Sequence, residues 1–359
     1  MNTDLLKRLC ETPGIPGREE RVRALIESEV KGLFDEVTVD PLGSLICVRK
    51  PTRTVRRKKG TSPLRVMLAC HMDEIGFYVR HIDDQGFIWV QPAGGFDTRN
   101  LFSRRVLVCT DSGDIPAIMN PGGKPVHIAS AEDRKKVPDT SEFFIDLGMS
   151  AAKVKKAVSV GDMIVMNEPF MEAGDTCVSK AMDNRVACWL GIEAVRQLAS
   201  AKKKKGKPGG HACEIHCVFT VQEEVGLRGA ITSAYTVKPD VGIGIDVTLC
   251  CDTPGVTEVD RVTKQGDGVA LTMMDSASIS NHELVREFEK VARSNKIPWQ
   301  RSILPRGGTD AAALQRAASG ARAITVSVGT RYIHTVTEMV HRKDLESARD
   351  LLAAYLAQA

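Results

Sequence analysis

Two acidic residues side by side, Glu223 and Glu224, close the apolar run from Glu214 to Gln222. Like-charged neighbours at the end of a buried strand repel unless a cation lies between them or each has its own task. His71, Asp246 and His334 also follow apolar, β-rich runs, and Asp183 stands just ahead of an amphipathic helical pattern. Five side chains of metal-ligand type and one spare carboxylate are what a two-metal hydrolase requires. Each has a bland alternative when taken singly: a hydrogen-bonded histidine at a strand end, or an aspartate that only caps a helix. That alternative must be invoked five separate times, which favours the metal centre.

Imidazole and carboxylate donors suit Zn²⁺, Co²⁺ or Mn²⁺, which ligand type alone does not rank, and the lack of thiolate pairs suits a catalytic site. Charge supports two ions: two divalent cations balance Asp183, Glu224, Asp246 and one bridging hydroxide. Glu223 is then free to act as general base and later as proton donor to the leaving amine. Paired metals about 3.5–4 Å apart need a bridging carboxylate, and Asp183 is the candidate. Asp73, two residues beyond His71, shares a face with it if the chain stays extended, and so could orient the imidazole. Adjacent strand residues point opposite ways, so Glu223 and Glu224 are expected to divide the work. Gly307-Gly308-Thr309-Asp310-Ala311 opens a predicted helix, where backbone N–H groups could hold an anion or a carbonyl oxygen; an ordinary capped helix reads equally well.

The elements that must position these groups follow from periodicity. Helices are predicted at 4–11 and 18–33, then strands at 36–39 and 45–48, and a buried strand 64–70 that ends at His71. From about 74 to 170 short alternating strands are broken by Gly/Pro/Asp turns, the pattern of a small all-β module. From 184 onward helices (184–200, 281–295, 309–319, 343–357) alternate with strands (214–222, 241–245, 323–328), which implies an α/β sheet with helices on both faces. The expected organisation is a discontinuous α/β domain, 1–73 with 170–359, interrupted by a β domain at 74–169.

Bulk properties exclude several classes. The 359 residues suggest about two domains, and a composition 43% hydrophobic and 26% charged can bury a full core. A net charge of +4 and 5% aromatics do not suggest a nucleic-acid partner. Ten cysteines without a Cys-x-x-Cys pattern read as small buried hydrophobes. No apolar run approaches a membrane span and the N-terminus lacks a signal-peptide core, so a cytoplasmic setting without membrane contact is expected. The basic stretches 53–59 and 202–207 carry no interleaved aromatics and read as solvated loops.

The matching stretches Cys70-His71-Met72-Asp73-Glu74-Ile75-Gly76, Ser179 to Arg185, Gln222 to Ala230, Asp246-Val247-Thr248, Gly308 to Ala311 and Arg331 to His334 resemble the co-catalytic metallo-aminopeptidases of the glutamyl and deblocking type. Similarity continues through Gly94 to Asp97 and Phe144 to Gly148, and so covers nearly the whole chain. The resemblance implies a zinc-peptidase-like mixed sheet flanked by helices, with an inserted barrel or PDZ-like domain for dimerisation. It implies one metal on His71, Asp183 and Asp246, another on Asp183, Glu224 and His334, with Asp73 supporting His71 and Glu223 as acid/base. It also implies a tetrahedral homododecamer whose interior admits only short peptides. Gly308, Thr309 and Asp310 are candidates for substrate binding. His127, on a predicted loop of the inserted domain, is a candidate to reach a neighbouring subunit's site. Two positions depart from the family pattern, Gly329 where Pro is common and Thr335 where Ser is usual. The leading expectation is attack by metal-bound hydroxide on the first peptide bond. The alternatives are deacylation of N-acylated amino acids or peptides, a glycosidase role, and a metal-silent scaffold.

Overall fold

The computed structural model describes residues 1–54, 62–201 and 210–359; the basic stretch 202–207 and most of 53–59 lie outside them. Its centre is four parallel strands in the order Glu214–Thr220, Arg65–His71, Val241–Leu249, Arg322–Arg331. Each is buried along nearly its whole length, as continuous apolar runs between two helical layers must be. Alternation divides their side chains: Val66, Leu68 and Cys70 face one layer, Met67 and Ala69 the other. The first layer holds helices Thr3–Glu11, Met182–Ser200, His282–Asn295 and Arg342–Gln358; Arg228–Val237 and Ala311–Gln315 pack on the second.

Antiparallel strands extend the sheet on both sides. Leu45–Arg49 and Glu36–Val39 continue it past Glu214–Thr220, and Glu338–His341, Thr176–Ser179 and Met171–Ala173 continue it past Arg322–Arg331. Val269–Met274 and Trp299–Ile303 branch from the same region. The second body is a closed antiparallel barrel of six strands, Gly76–Ile82, Ile88–Ala93, Phe143–Asp146, Gly113–Pro121, Arg104–Thr110 and Met163–Met166. It has a separate core that includes Phe77, Val79, Val106, Phe143, Ile145 and Ile164. The α/β sheet with a small all-β barrel is the expected fold class.

Several local expectations are corrected. The helix expected over 309–319 is only Ala311–Gln315, because the chain turns at Arg316 and Ala318 takes a positive φ. Helix Met182–Ser200 is not half exposed: Met182 through Ile192 are all buried, since it lies between the sheet and helix Arg342–Gln358. The strand expected over 214–222 stops at Thr220. Asp246 lies inside its strand rather than beyond it. The cysteines of the described residues are buried, Cys251 excepted. No helix among the described residues is long and apolar enough to cross a membrane. At Gly329 an added Cβ would lie 2.7 Å from the Thr263 hydroxyl, which donates instead to the Leu249 carbonyl at 2.8 Å.

Candidate metal centre

The His71 and Asp246 strands are hydrogen-bonded as far as Ala69 and Gly244 and then part. The crevice lies beyond the carboxyl ends of the strands, where open α/β sheets bind ligands. Asn184 spans the gap. Its side-chain amide donates to the Ile245 carbonyl at 2.9 Å, and its oxygen accepts the Ala187 N–H at 3.1 Å, capping the helix. Asp183 therefore sits in an irregular first turn, joined to Asn184 by a cis peptide, with its carboxylate in the crevice.

All six expected groups gather there. Asp183 presents one oxygen to each imidazole: Oδ1 is 3.3 Å from His71 Nε2, and Oδ2 is 3.4 Å from His334 Nε2. Glu223 and Asp246 each approach His71 Nε2 to 3.8 Å, and Glu224 lies 3.6 Å from His334 Nε2. Donor atoms of His71, Glu223 and Asp246 lie within 4.8 Å of one another, as do those of His71, Asp183 and Glu224. Grouping by proximity thus places Glu223 beside Asp246, and His71 against both carboxylate sets.

Two further carboxylates hold the cluster in shape. Asp73 is fully buried and accepts the backbone N–H of Glu223 at 3.1 Å and of Glu224 at 3.1 Å, one on each oxygen. The division of the glutamate pair therefore comes from a turn anchored on Asp73, with Gln222 at positive φ, and not from strand alternation. His71 Nδ1 is 3.1 Å from the Asp73 carbonyl and 3.5 Å from its carboxylate, so both ends of Asp73 face the ring. Glu338 accepts the backbone N–H of His334 at 2.7 Å and of Asp183 at 2.9 Å. Sequence reasoning missed Glu338 and Asn184. The signal for Asn184 was its place beside Asp183 at a helix start; Glu338 offered none.

The electrostatics fit a cation. Burial pushes the Glu223, Glu224 and Asp246 carboxyls well up, and neighbouring carboxylates push them further. Burial opposes the His71 imidazolium, but the Glu223 charge and hydrogen bonds to Asp183 and Asp73 outweigh it and raise its pKa. The same contest raises His334 to about 10. Asp183 is held low, because its hydrogen bonds to His334 and His71 outweigh burial. Carboxylates crowded in one buried crevice favour positive charge among them. Glu224 Oε1 is buried without a hydrogen-bond partner, a lone pair facing the same crevice.

Of the other candidates, Gly308 and Thr309 line a cavity beside the cluster. Asp310 turns beneath the sheet end and accepts from the Thr220 hydroxyl at 2.6 Å; burial pushes its carboxyl up to about 6. His127 is exposed on a turn between two barrel strands and lines neither cavity beside the cluster.

Comparison with known proteins gives the arrangement a context. The model of the M42 glutamyl aminopeptidase family matches residues 53–351. The chain is 30% identical over 361 residues to the lysyl aminopeptidase of Pyrococcus furiosus, covering 99% of this chain and 96% of that protein. Aminopeptidase APDkam598 of Desulfurococcus kamchatkensis superposes with a TM-score of 0.89 at 35% identity, covering 99% of this chain and 94% of that one. The Pyrococcus horikoshii TET1 peptidase, described as able to assemble into a tetrahedron or a large octahedral shell, superposes with a TM-score of 0.84 at 29% identity, covering 99% and 98%. A family match over most of the chain, with relatives of the same fold along nearly its whole length, means that this protein belongs to the M42 aminopeptidase family and is a peptidase.

Proposed function

We propose that the chain is a dinuclear metal-dependent aminopeptidase that removes the first residue from short peptides. The observation that carries the reading is Asp183, whose two oxygens face two different imidazoles, as a carboxylate bridging two ions must. His71, Asp183 and Asp246 would hold one divalent ion, and Asp183, Glu224 and His334 the other, with Zn²⁺, Co²⁺ and Mn²⁺ all suited to these donors. When bound, such ions supply Lewis acidity towards the scissile carbonyl and towards water.

The chain's own residues do the rest. Glu223 takes the proton of the attacking water on its carboxylate and returns it to the departing amine. Asp73 fixes the imidazole of His71 from one side and the Glu223 backbone from the other. Gly308 and Thr309, in the cavity wall, would contact the peptide, with Asp310 supporting them from beneath.

The barrel is read as an inserted domain, 74–169, that pairs subunits and builds a closed homododecamer in the cytoplasm. His127, exposed on that domain, would reach into a neighbouring subunit's site. The tetrahedral assembly described for the Pyrococcus horikoshii relative supports this part of the reading. Glu223→Gln tests the chemistry: metal content should stay at two ions per chain while turnover falls by at least ~10²-fold. Near-normal turnover removes Glu223 from the mechanism.

A further inference from the structure

The largest space beside the cluster is a cavity of about 1050 Å³ that opens from Glu223, Glu224, Asp246 and His334. A second, of about 400 Å³, lies towards the barrel, and the charges on its wall include a closed pair, Lys180 Nζ donating to Glu74 at 2.7 and 2.8 Å. Of the two, the larger one is lined by Glu223 and Asp246 together, and the smaller by neither.

Its walls are Leu227, Val247, Leu249, Ala277, Leu304 and Ile333. The carboxylates on its surface, Glu223, Glu224 and Asp246, all belong to the cluster, so none remains to pair with a cationic substrate side chain. Thr248 and Thr309 are 2% and 3% exposed, and the Thr309 hydroxyl is engaged with that of Thr325 at 2.9 Å. Apart from His334 of the cluster, the one basic side chain on the wall is Arg306, exposed and without an ion-pair partner among the described residues. Screening limits what an arginine so placed does to a charged side chain of either sign to about a few-fold. Arg306 does repel a lysine or arginine that must pass it, and its stem adds apolar wall.

We propose that this groove receives the first side chain of the substrate and selects uncharged apolar residues of the leucine, methionine and phenylalanine class, with Arg306 disfavouring lysine and arginine. The inference rests on the aminopeptidase reading and adds its specificity. Burial of each methylene is worth about fourfold in kcat/KM, so leucine should exceed alanine by at least roughly 10-fold.

The experiment measures kcat/KM of the metal-loaded enzyme on the p-nitroanilides of Leu, Ala, Glu and Lys. Leu should exceed Glu and Lys by at least about 10-fold, and Arg306→Glu should raise the Lys/Leu ratio several-fold. Leu304→Ala provides a second variant, expected to lower the Leu/Ala ratio several-fold. Because ratios are compared, a general loss of folded enzyme cancels. A preference for Glu or Lys, or ratios that neither variant moves, overturns the groove assignment and leaves the aminopeptidase reading intact. Failure of the loaded enzyme to cleave any of the four overturns both.

Discussion

Asp73→Asn isolates what a buried carboxylate does for the metal centre without touching a metal donor. The substitution keeps the size of the side chain and one of its two acceptor oxygens. The other becomes an NH₂ group facing a backbone N–H of the Glu223-Glu224 pair, where a 3.1 Å contact now exists. One N–H to carboxylate bond is lost and a donor is left opposite a donor, together about 1.5–3 kcal/mol. A second effect has a sign that depends on the ions. In the metal-free protein Asp73 repels Glu223 and Glu224, so removing its charge relieves that state and offsets part of the loss. In the loaded protein the cations remove the repulsion and the whole loss remains. The part of the loss that the metal-free state escapes weakens metal affinity, by roughly 10–100-fold at 1.4 kcal/mol per decade. The assay is metal retained per chain against a graded chelator, with thermal unfolding in excess chelator as control. The midpoint of the metal-free variant should stay within a few degrees of the parent. Wild-type metal retention by Asp73→Asn, within threefold, would refute the argument that the turn carrying both glutamates is held by this side chain.

Two other perturbations test the frame around the site. Gly229→Ala puts a Cβ 2.5 Å from both the N and the O of Val221 and 2.8 Å from Ser44 Oγ, so helix Arg228–Val237 must retreat from the turn that carries Glu223. Chemical denaturation should show a loss of about 1–3 kcal/mol together with reduced kcat, and an unchanged midpoint would show that the contact is soft. At the end of strand Arg322–Arg331, Arg331 grips Asp252 with Nε at 2.6 Å and Nη2 at 2.7 Å. Burial would raise this carboxyl, but the guanidinium outweighs it and holds the pKa at about 2, against 3.8 when unperturbed. A depressed folded-state pKa stabilises above the unfolded value and loses that stability as pH falls towards the folded one. The contribution of about 2 kcal/mol should thus be complete at pH 6 and about half gone at pH 3. The stability gap between the parent and Asp252→Asn, measured without metal, should shrink accordingly; a gap constant between pH 6 and pH 3 contradicts the pairing.

What could be read from the residues, and what could not, divides along physical lines. His71, Glu223, Glu224 and His334 were legible because parallel strands buried on both faces are uninterrupted apolar runs, and the polar residue that ends such a run stands at the ligand-binding edge. The barrel was legible as alternating short strands between turn residues. Strand Val269–Met274 was not, because a short apolar run has no period that separates strand from buried helix. Helix Arg228–Val237 was missed because it packs through Gly229, Ala230, Ser233 and Ala234, small residues that make a weak apolar stripe. Glu338 was invisible for a different reason. It acts on the N–H groups of Asp183 and His334, which lie 155 and 4 residues away and meet only in the folded chain.

The same distinction explains how so many like charges can share one crevice. Around the cluster, carboxylates accept backbone N–H groups at the bends that present the metal-type donors: Glu19 takes Gln222 at 3.0 Å, Asp73 takes Glu223 and Glu224, and Glu338 takes Asp183 and His334. Opposite them, Arg185 is wholly buried and donates to the carbonyls of Leu9, Thr12, Gly14 and Met72. A buried guanidinium costs several kcal/mol unless its donors are satisfied, and here backbone oxygens satisfy them. Arg185 thereby ties the chain on both sides of Asp73, through Met72 and the Glu74 carboxylate 3.4 Å away, to the helix that begins at Asp183. Carboxylates and a guanidinium bonded to main-chain groups fix the backbone, and the backbone then holds the donors close enough that cations between them would relieve their repulsion.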